Sequence, residues 1–466
     1  MTSWWRKIKV GVIACCPAAV LTACGIFTPT ALQSQARATI TINPHQHGPT
    51  LTRIALGMNV AEWDSHLYSP TVVSRLQDLG VGVLRWPGGS YADVWDWETN
   101  PKALAQFGEL VDRLHIQGIV TVNYGTGTAQ QAAAEVHFAN ILHHYGIEYW
   151  EIGNEQYGAG AYPGAWEAND LANKGPRAYA HRVVQFVRSM RKVDPYIKIG
   201  VDATIPGIWP SGFFQRWDRT MLPIVAPYIN FIAVHWYPEN PGQENNAALL
   251  TDPARIPKYM ARLRQYLAPY VHRIKIFTEE TNNVSSSPDN QTISLVNALF
   301  LVEDYNGWLE QGAQNVSWWD LHNSPNSASP LKGPGLTIKG YGDYGILSAG
   351  STGEPALNTP FAPYYGYLLM HRFVTPGAKY VTATSNQAAL VVYAVRWPNR
   401  EIHVMVINSS PTRTYQVTVI GLRSLTGKMG TFYEYSLQHP TLQTAQRSWT
   451  NTLTVAPYSI TVVDAE

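Results

Sequence analysis

Two stretches decide how this chain is read: Trp150-Glu151-Ile152-Gly153-Asn154-Glu155 and Ile274-Lys275-Ile276-Phe277-Thr278-Glu279-Glu280. Each is an apolar, strand-like run that ends in a carboxylate, and an acid at the end of a buried strand is costly unless it is paired or used. Working outward, short apolar strands alternate with polar, helix-compatible stretches from about residue 52. The strand candidates are Ile54–Asn59, Gly82–Trp86, Ile119–Tyr124, Tyr149–Asn154, Ile197–Val201, Phe231–His235, Ile274–Glu280 and Asn315–Trp319. Between them lie the amphipathic stretches Ser69–Leu79, Leu104–Gln117, Ala132–Tyr145, Ala178–Val193, Pro253–Leu267 and Thr292–Gln311. Eight strands alternating with helices predict a parallel α/β architecture, a closed (β/α)8 TIM barrel over residues 52–357.

The segment His322–Pro360 is rich in Gly, Pro, Ser and Asn, the composition of a long binding loop. Beyond it Ala389–Val395, Ile402–Ile407, Tyr415–Ile420, Thr431–Tyr435 and Ser459–Val463 are strand-like with no helix between them, which predicts an all-β sandwich over residues 358–466. Thr39–Ile42, within residues 38–51, is expected to add a strand to that sandwich. At the N-terminus Arg6, Lys7 and Lys9 precede the apolar run Val10–Val20 and then Leu21-Thr22-Ala23-Cys24. The run is shorter than the roughly 20 residues of a spanning helix and reads as an export signal over residues 1–24. Its ending is similar to a bacterial lipoprotein processing site with Cys24 as the lipid carrier. The expectation is a protein lipid-anchored on the outer side of the cytoplasmic membrane, with residues 25–37 as a tether; secretion with cleavage nearer Ala36 is the alternative. All three cysteines (Cys15, Cys16, Cys24) lie in this segment, so the exported part has no disulfide framework and no thiolate chemistry. Lys plus Arg (34) nearly balances Asp plus Glu (33), and no basic patch argues for a nucleic-acid partner. Oligomeric state is not readable.

Barrel enzymes carry their reactive groups where strands end at the C-terminal face. Polar residues recur at those ends: Arg85, Asn123, Asn154 with Glu155, His235 with Tyr237, Glu280, and Trp318 with Trp319. Two carboxyl groups on facing strands suit glycosidic bond cleavage, where one protonates the leaving oxygen and the other attacks or stabilises the sugar cation. Glu155 is the candidate acid/base, with a pKa expected to be raised by enclosure beside a second carboxylate. Side chains alternate along a strand, so Ile274, Ile276, Thr278 and Glu280 share one face and Lys275, Phe277 and Glu279 the other. Branched residues favour barrel interiors, which points Glu280 inward as the nucleophile and leaves Glu279 facing the helices or an ion pair.

Asn-Glu on the fourth strand and Glu on the seventh resemble the paired acids of glycoside hydrolase clan A. Leu84-Arg85-Trp86-Pro87-Gly88-Gly89-Ser90, His235-Trp236-Tyr237 and Glu280-Thr281-Asn282 resemble stretches of the α-L-arabinofuranosidase family within that clan, as does the trailing sandwich. The resemblance implies a retaining glycosidase: Glu155 as acid/base, Glu280 as nucleophile, Asn154 on the sugar hydroxyl beside the reacting carbon, Tyr237 and Arg85 beside the nucleophile, His235 supporting the acid/base, and Trp318 or Trp319 as sugar platform. Two departures leave the sugar open. Glu62 matches the family's acidic sugar-binding residue with spacing off by one, and Asp93-Val94-Trp95-Asp96-Trp97-Glu98 lacks the expected continuation. β-Xylosidase, β-glucuronidase and endo-glucanase of the same clan are the alternatives, as is a carbohydrate-binding lipoprotein without turnover. No cofactor or metal is expected: Gly125-Thr126-Gly127 lacks the third glycine of a dinucleotide loop, and His45 with His47 and His143 with His144 lack ligand partners at useful spacing.

Overall fold

The computed structural model describes residues 35–210, 214, 216–270, 274–422 and 426–465. Export segment and anchor candidate Cys24 lie outside the described residues, as does the tether up to residue 34. Strand β1 (Gln35–Thr50) takes up the chain at once, so residues 35–37, expected as tether, are already paired with Thr414–Gln416.

Eight strands then close a parallel barrel in chain order: β2 (Leu56–Asn59), β3 (Val83–Trp86), β4 (Gln117–Val122), β5 (Tyr149–Ile152), β6 (Lys198–Ala203), β7 (Phe231–Trp236), β8 (Lys275–Thr281) and β9 (Asn315–Trp318), with β9 paired back to β2. The helices between them follow local chemistry. Ser69 caps Pro70–Leu79 through a hydrogen bond from Val72 N–H, and Gly80 ends it in the left-handed conformation. Thr128 and Gln131 form a capping box on Ala129–Val136.

Inside the barrel's base, Ile54, Val83, Ile119, Tyr149, Phe231 and Phe277 form a closed apolar plug, with the Phe231 and Phe277 rings stacked 4.3 Å apart. Alternation puts a polar layer directly above it, Arg85, Thr121, Glu151 and Glu279, with His235 one step higher. This corrects the face expected for the seventh barrel strand. Phe277 points inward, whereas Ile276 packs in the large cluster shared with the helices. Lys275 does not oppose this, because it sits at the exposed start of β8. A register shift follows, Val234 pairing with Thr278 but His235 with Glu280. The extra residue, Glu279, bends the strand end, and both glutamates meet the barrel's polar layer.

Two of the longer helices have no counterpart in the sequence expectation. Arg216–Val225 buries Trp217, Met221 and Leu222. Ala362–Phe373 falls in the span expected as sandwich, yet it packs on the barrel. At Gly366 an added Cβ would sit 2.8 Å from the Ala298 carbonyl oxygen, and Tyr367 donates its hydroxyl to the Gly57 carbonyl at 3.0 Å. The helical layer therefore runs past residue 357. The short ladder of β10 (Asn326–Ser327) and β11 (Tyr341–Gly342) belongs to the long loop before it.

The remaining strands are β12 (Lys379–Ser385), β13 (Leu390–Arg396), β14 (Ile402–Asn408), β15 (Thr414–Ile420), β16 (Met429–Ser436), β17 (Gln443–Ser448), β18 (Thr452–Val455) and β19 (Ser459–Ala465). With β1 they form one continuous nine-stranded sheet, ordered β17-β16-β19-β14-β13-β12-β1-β15-β18. It curls over its own core of Ile40, Val404, Val417, Leu453 and Trp449, which makes the sandwich-like domain. Its other face, with Met405, Ile407 and Val462, joins the barrel's core.

Phe231→Ala should lower stability by about 3–5 kcal/mol, because the stacked plug cannot collapse to fill the space. The check is thermal or urea unfolding; a loss under about 1 kcal/mol would contradict a rigid plug.

Candidate active site

Arg85 stands at the centre of the barrel mouth, 1% exposed. Its Nε donates to Glu151 Oε2 at 2.8 Å, its Nη1 to Glu280 Oε1 at 2.7 Å and Asn59 Oδ1 at 3.0 Å, and its Nη2 to Asn154 Oδ1 at 2.7 Å. Glu279 Oε2 lies 3.4 Å from Nε. Burial disfavours the guanidinium charge, but the carboxylates of Glu151, Glu280 and Glu279 more than offset this and push its pKa up. The planar fork is what lets one side chain fix so many acceptors at once.

Glu280 is held at both oxygens, since Tyr237 donates its hydroxyl to Oε2 at 2.8 Å. Facing it, Glu155 sits just beyond β5 with φ 42°, a left-handed conformation that costs a non-glycine residue about 1–2 kcal/mol and turns its side chain into the cleft. Trp166 Nε1 donates to Glu155 Oε2 at 2.6 Å, and His235 Nδ1 lies 2.9 Å from Oε1. The same Nδ1 is 3.5 Å from Glu280 Oε2. One oxygen of each glutamate and one nitrogen of His235 all fall within 4.8 Å of one another. Such a trio has metal-ligand chemistry, but these atoms are already engaged with one another, the imidazole nitrogen bridging the two acids.

Burial acts to raise the pKa of Glu155, yet the hydrogen bond and charge of His235, with the Trp166 bond, outweigh it, and the net direction is down. This is opposite to the rise expected for Glu155. His235 moves the other way: burial opposes its charge, but Glu280 and the Glu155 hydrogen bond raise its pKa. The two form a coupled pair that holds one proton between a lowered carboxylate and a raised imidazole.

A second ring of acids braces this centre. Asp93 accepts from Asn154 N–H at 3.0 Å and Gln156 Nε2 at 2.7 Å, and burial raises its pKa to about 7. Glu167 accepts from Ser90 Oγ at 2.7 Å and Asn154 Nδ2 at 3.1 Å. Burial, then the charges of Glu155 and Asp93, push it up to about 10, so it is neutral near pH 7.

These groups open into a cavity of about 470 Å³ lined by Asn154, Glu155 and Glu280 with the aromatic walls Trp166, Trp209, Tyr237, Trp319 and Tyr344. Gly89 allows the closure: a Cβ there would lie 2.8 Å from the Trp319 ring, and its φ of 51° suits glycine.

Of the residues singled out in the sequence, Glu155, Glu280, Asn154 and Tyr237 line the cavity, and Arg85 and His235 lie directly beneath it. Three others do not join them. Asn123 caps its own turn, accepting from Thr126 N–H at 2.9 Å and Gly127 N–H at 3.0 Å, as asparagine side chains do in tight turns. Trp318 is fully buried and faces Phe300 and Tyr305 in the helical layer, and alternation gives the cleft to Trp319. Glu62 accepts from Asn100 Nδ2 at 2.8 Å and Tyr91 Oη at 3.3 Å, outside the cavity lining. Trp166 and Glu167 escaped the sequence reading because they lie in an irregular loop after β5. The one available signal was an aromatic-acid pair in a Gly-rich loop following the strand that leads into Asn154-Glu155.

No family model matches the chain. It is 22% identical over 271 residues to a probable alpha-L-arabinofuranosidase C of Aspergillus niger, covering 47% of this chain and 51% of that protein. It is 20% identical over 221 residues to an intracellular exo-alpha-(1->5)-L-arabinofuranosidase of Acetivibrio thermocellus, covering 40% and 41%. The chain thus spans about half the length or less of the curated relatives it matches. In fold it is similar to the alpha-L-arabinofuranosidase of Thermotoga maritima in an arabinose complex (TM-score 0.71, 16% identity, 92% of this chain and 99% of that one). It is also similar to a glycoside hydrolase family 44 xyloglucanase of Paenibacillus polymyxa (TM-score 0.66, 12% identity, 92% and 100%). Sequence and fold together resemble the arabinofuranosidases of glycoside hydrolase clan A.

Proposed function

We propose that this chain is a retaining glycoside hydrolase, arabinofuranosidase-like, in which Glu280 is the nucleophile and Glu155 the acid/base. One observation carries the reading: carboxylate oxygens of the two glutamates lie within 4.8 Å of one another at the floor of the cavity. Carboxyl groups about 5–5.5 Å apart belong to double displacement, whereas inversion needs about 6.5–9.5 Å to admit a water. Glu280 attacks the anomeric carbon as Glu155 gives its proton to the leaving oxygen, forming a glycosyl ester on Glu280. Glu155 then takes a proton from water, which attacks the same carbon and frees Glu280. Arg85 and Tyr237 fix the nucleophile's two oxygens. The Asn154 amide is locked by Arg85 and Glu167, which leaves its second N–H free to meet the sugar hydroxyl beside the reacting carbon. The aromatic walls suit stacking on a sugar face.

Arabinofuranose is favoured by the names of the curated relatives; the fold's similarity to a xyloglucanase keeps an endo-glucanase reading beside it. Para-nitrophenyl arabinofuranoside, xyloside, glucoside and glucuronide, assayed side by side, separate the readings, and arabinofuranoside is expected to turn over fastest. Glu155→Gln should lower kcat by roughly 10²–10⁴-fold, least with the best aryl leaving groups, and Glu280→Gln should abolish turnover without abolishing sugar binding. Equal aryl release by all three proteins would overturn the assignment.

The coupled proton sets the pH behaviour. The general acid is loaded only while the His235–Glu155 pair keeps its one proton. Activity therefore falls as pH rises through the raised imidazole value, above the ordinary histidine range. In His235→Gln the proton rests on a carboxyl alone, and the basic limb of kcat/KM should move to lower pH. A limb left in place would mean that the shared proton is not the one delivered.

Leu21-Thr22-Ala23-Cys24 supports export with a lipid anchor at Cys24. In a bacterial host Cys24→Ala should move the protein out of the membrane fraction; unchanged membrane retention would exclude the anchor.

A further inference from the structure

A second cluster of ligand-type side chains lies on the sandwich, away from the residues that line the cleft. Trp397-Pro398-Asn399-Arg400 turns the chain from β13 into β14. Glu401 and His403 follow, two residues apart and so on one face of the strand. Asp464 of β19 pairs directly with His403 across the sheet. Oxygen and nitrogen atoms of these three side chains all lie within 4.8 Å of one another.

His403 is fully buried, while the side chains of Glu401 and Asp464 are 30% and 26% exposed, so the cluster is rooted in the domain and reachable from solvent. Asp464 Oδ1 has no hydrogen-bond partner among the described residues, and the buried imidazole of His403 meets only the Arg372 backbone beside the two acids. Buried polar atoms of this kind are rare without a function or an unseen partner. The spacings are long for tight ion pairs: Nε2 stands 3.4 Å from Asp464 Oδ1 and 3.8 Å from Glu401 Oε2. Those distances suit neighbouring ligands around one ion. At the 2.0–2.1 Å bond lengths of zinc, two tetrahedral ligands are about 3.3 Å apart. The ring is also fixed in place, stacked on Trp397 at 3.8 Å and 6°, and Trp397 in turn donates its indole N–H to the Phe373 carbonyl at 2.9 Å.

We propose that Glu401, His403 and Asp464 bind one divalent cation of the zinc type, with water completing a tetrahedral shell. One imidazole with two carboxylates is a zinc donor set; calcium would require six to eight oxygens. The ion would tie β14 to β19 and to the 397–401 turn. Through Trp397 it would also brace the end of helix Ala362–Phe373, where sandwich meets barrel, so its role is structural.

The test is a titration of chelator-treated full chain with Co²⁺, read by the visible absorption of tetrahedral cobalt, and with Zn²⁺, read by calorimetry and melting temperature. Wild type and Glu280→Gln should each bind one equivalent and melt higher with Zn²⁺. Glu401→Gln, at the half-exposed rim, and Asp464→Asn should fold normally by circular dichroism and bind roughly 100-fold more weakly, the upper end of what even supporting residues are worth. His403→Gln serves as a third variant if it folds. Absence of tetrahedral cobalt absorption at micromolar metal would overturn the proposal. So would binding that survives in Glu401→Gln and Asp464→Asn but is lost in Glu280→Gln, since the ion would then sit between the candidate catalytic acids.

Discussion

Everything at the barrel mouth is arranged around one buried positive charge. The Arg85 guanidinium faces Glu151, Glu279, Glu280, Asn59 and Asn154, every one of them buried. A single cation cannot neutralise that many acids at low dielectric, and an uncompensated buried carboxylate costs several kcal/mol. The remainder is met by protons. Burial and the charge of Glu151 raise Glu279 well above the carboxylate range, and burial with the charges of Glu151 and Asp93 does the same for Asp202. Glu167 behaves likewise. The two cleft glutamates are the acids served by Arg85, Tyr237, Trp166 and His235.

The strand order that builds this centre was legible in the sequence, because each barrel strand is a short apolar run bounded by turn residues. The two acids were legible because they end such runs. Glu280, however, was selected by a face assignment that the structure reverses. Strict alternation, followed from Phe277, points Glu279 inward and Glu280 outward. The register shift between β7 and β8 adds a residue and brings Glu280 round to the cleft as well. A bulge of this kind leaves no periodic trace in one strand; it exists only relative to the neighbour. Trp318 and Trp319 pose the same problem one strand later, where a single step of alternation separates a core residue from a cleft wall.

What stayed hidden shares a physical character. Helix Ala362–Phe373 follows a loop far longer than the usual connection in an alternating α/β unit, so counting strands and helices lost track of it. Strand β17 is exposed along its whole length and carries no apolar alternation. Asn123 looked like a cleft residue because it ends a strand, but its carbonyl oxygen is spent on two backbone amides of the next turn. In each case the deciding contact is long-range or local to a loop, and neither leaves a pattern in composition.

The loop after β5 shows how such a contact couples to chemistry. Trp166 holds Glu155, and the next residue, Glu167, holds Asn154 and Ser90. One irregular segment thus fixes both the Glu155 carboxyl and the Asn154 amide. These bonds are short and neither partner of the first is on a barrel strand, so the acid's position depends on the loop as much as on the barrel. The barrel supplies rigidity at Glu280, which is pinned from β3 and from Tyr237, just beyond β7. Glu155, three residues past the end of β5 and in a strained backbone conformation, is positioned by a side chain eleven residues on in sequence. Under the proposed roles the nucleophile belongs to the scaffold and the acid/base to the loop, which is the division expected where one group must stay still and the other must exchange a proton with leaving group and water in turn.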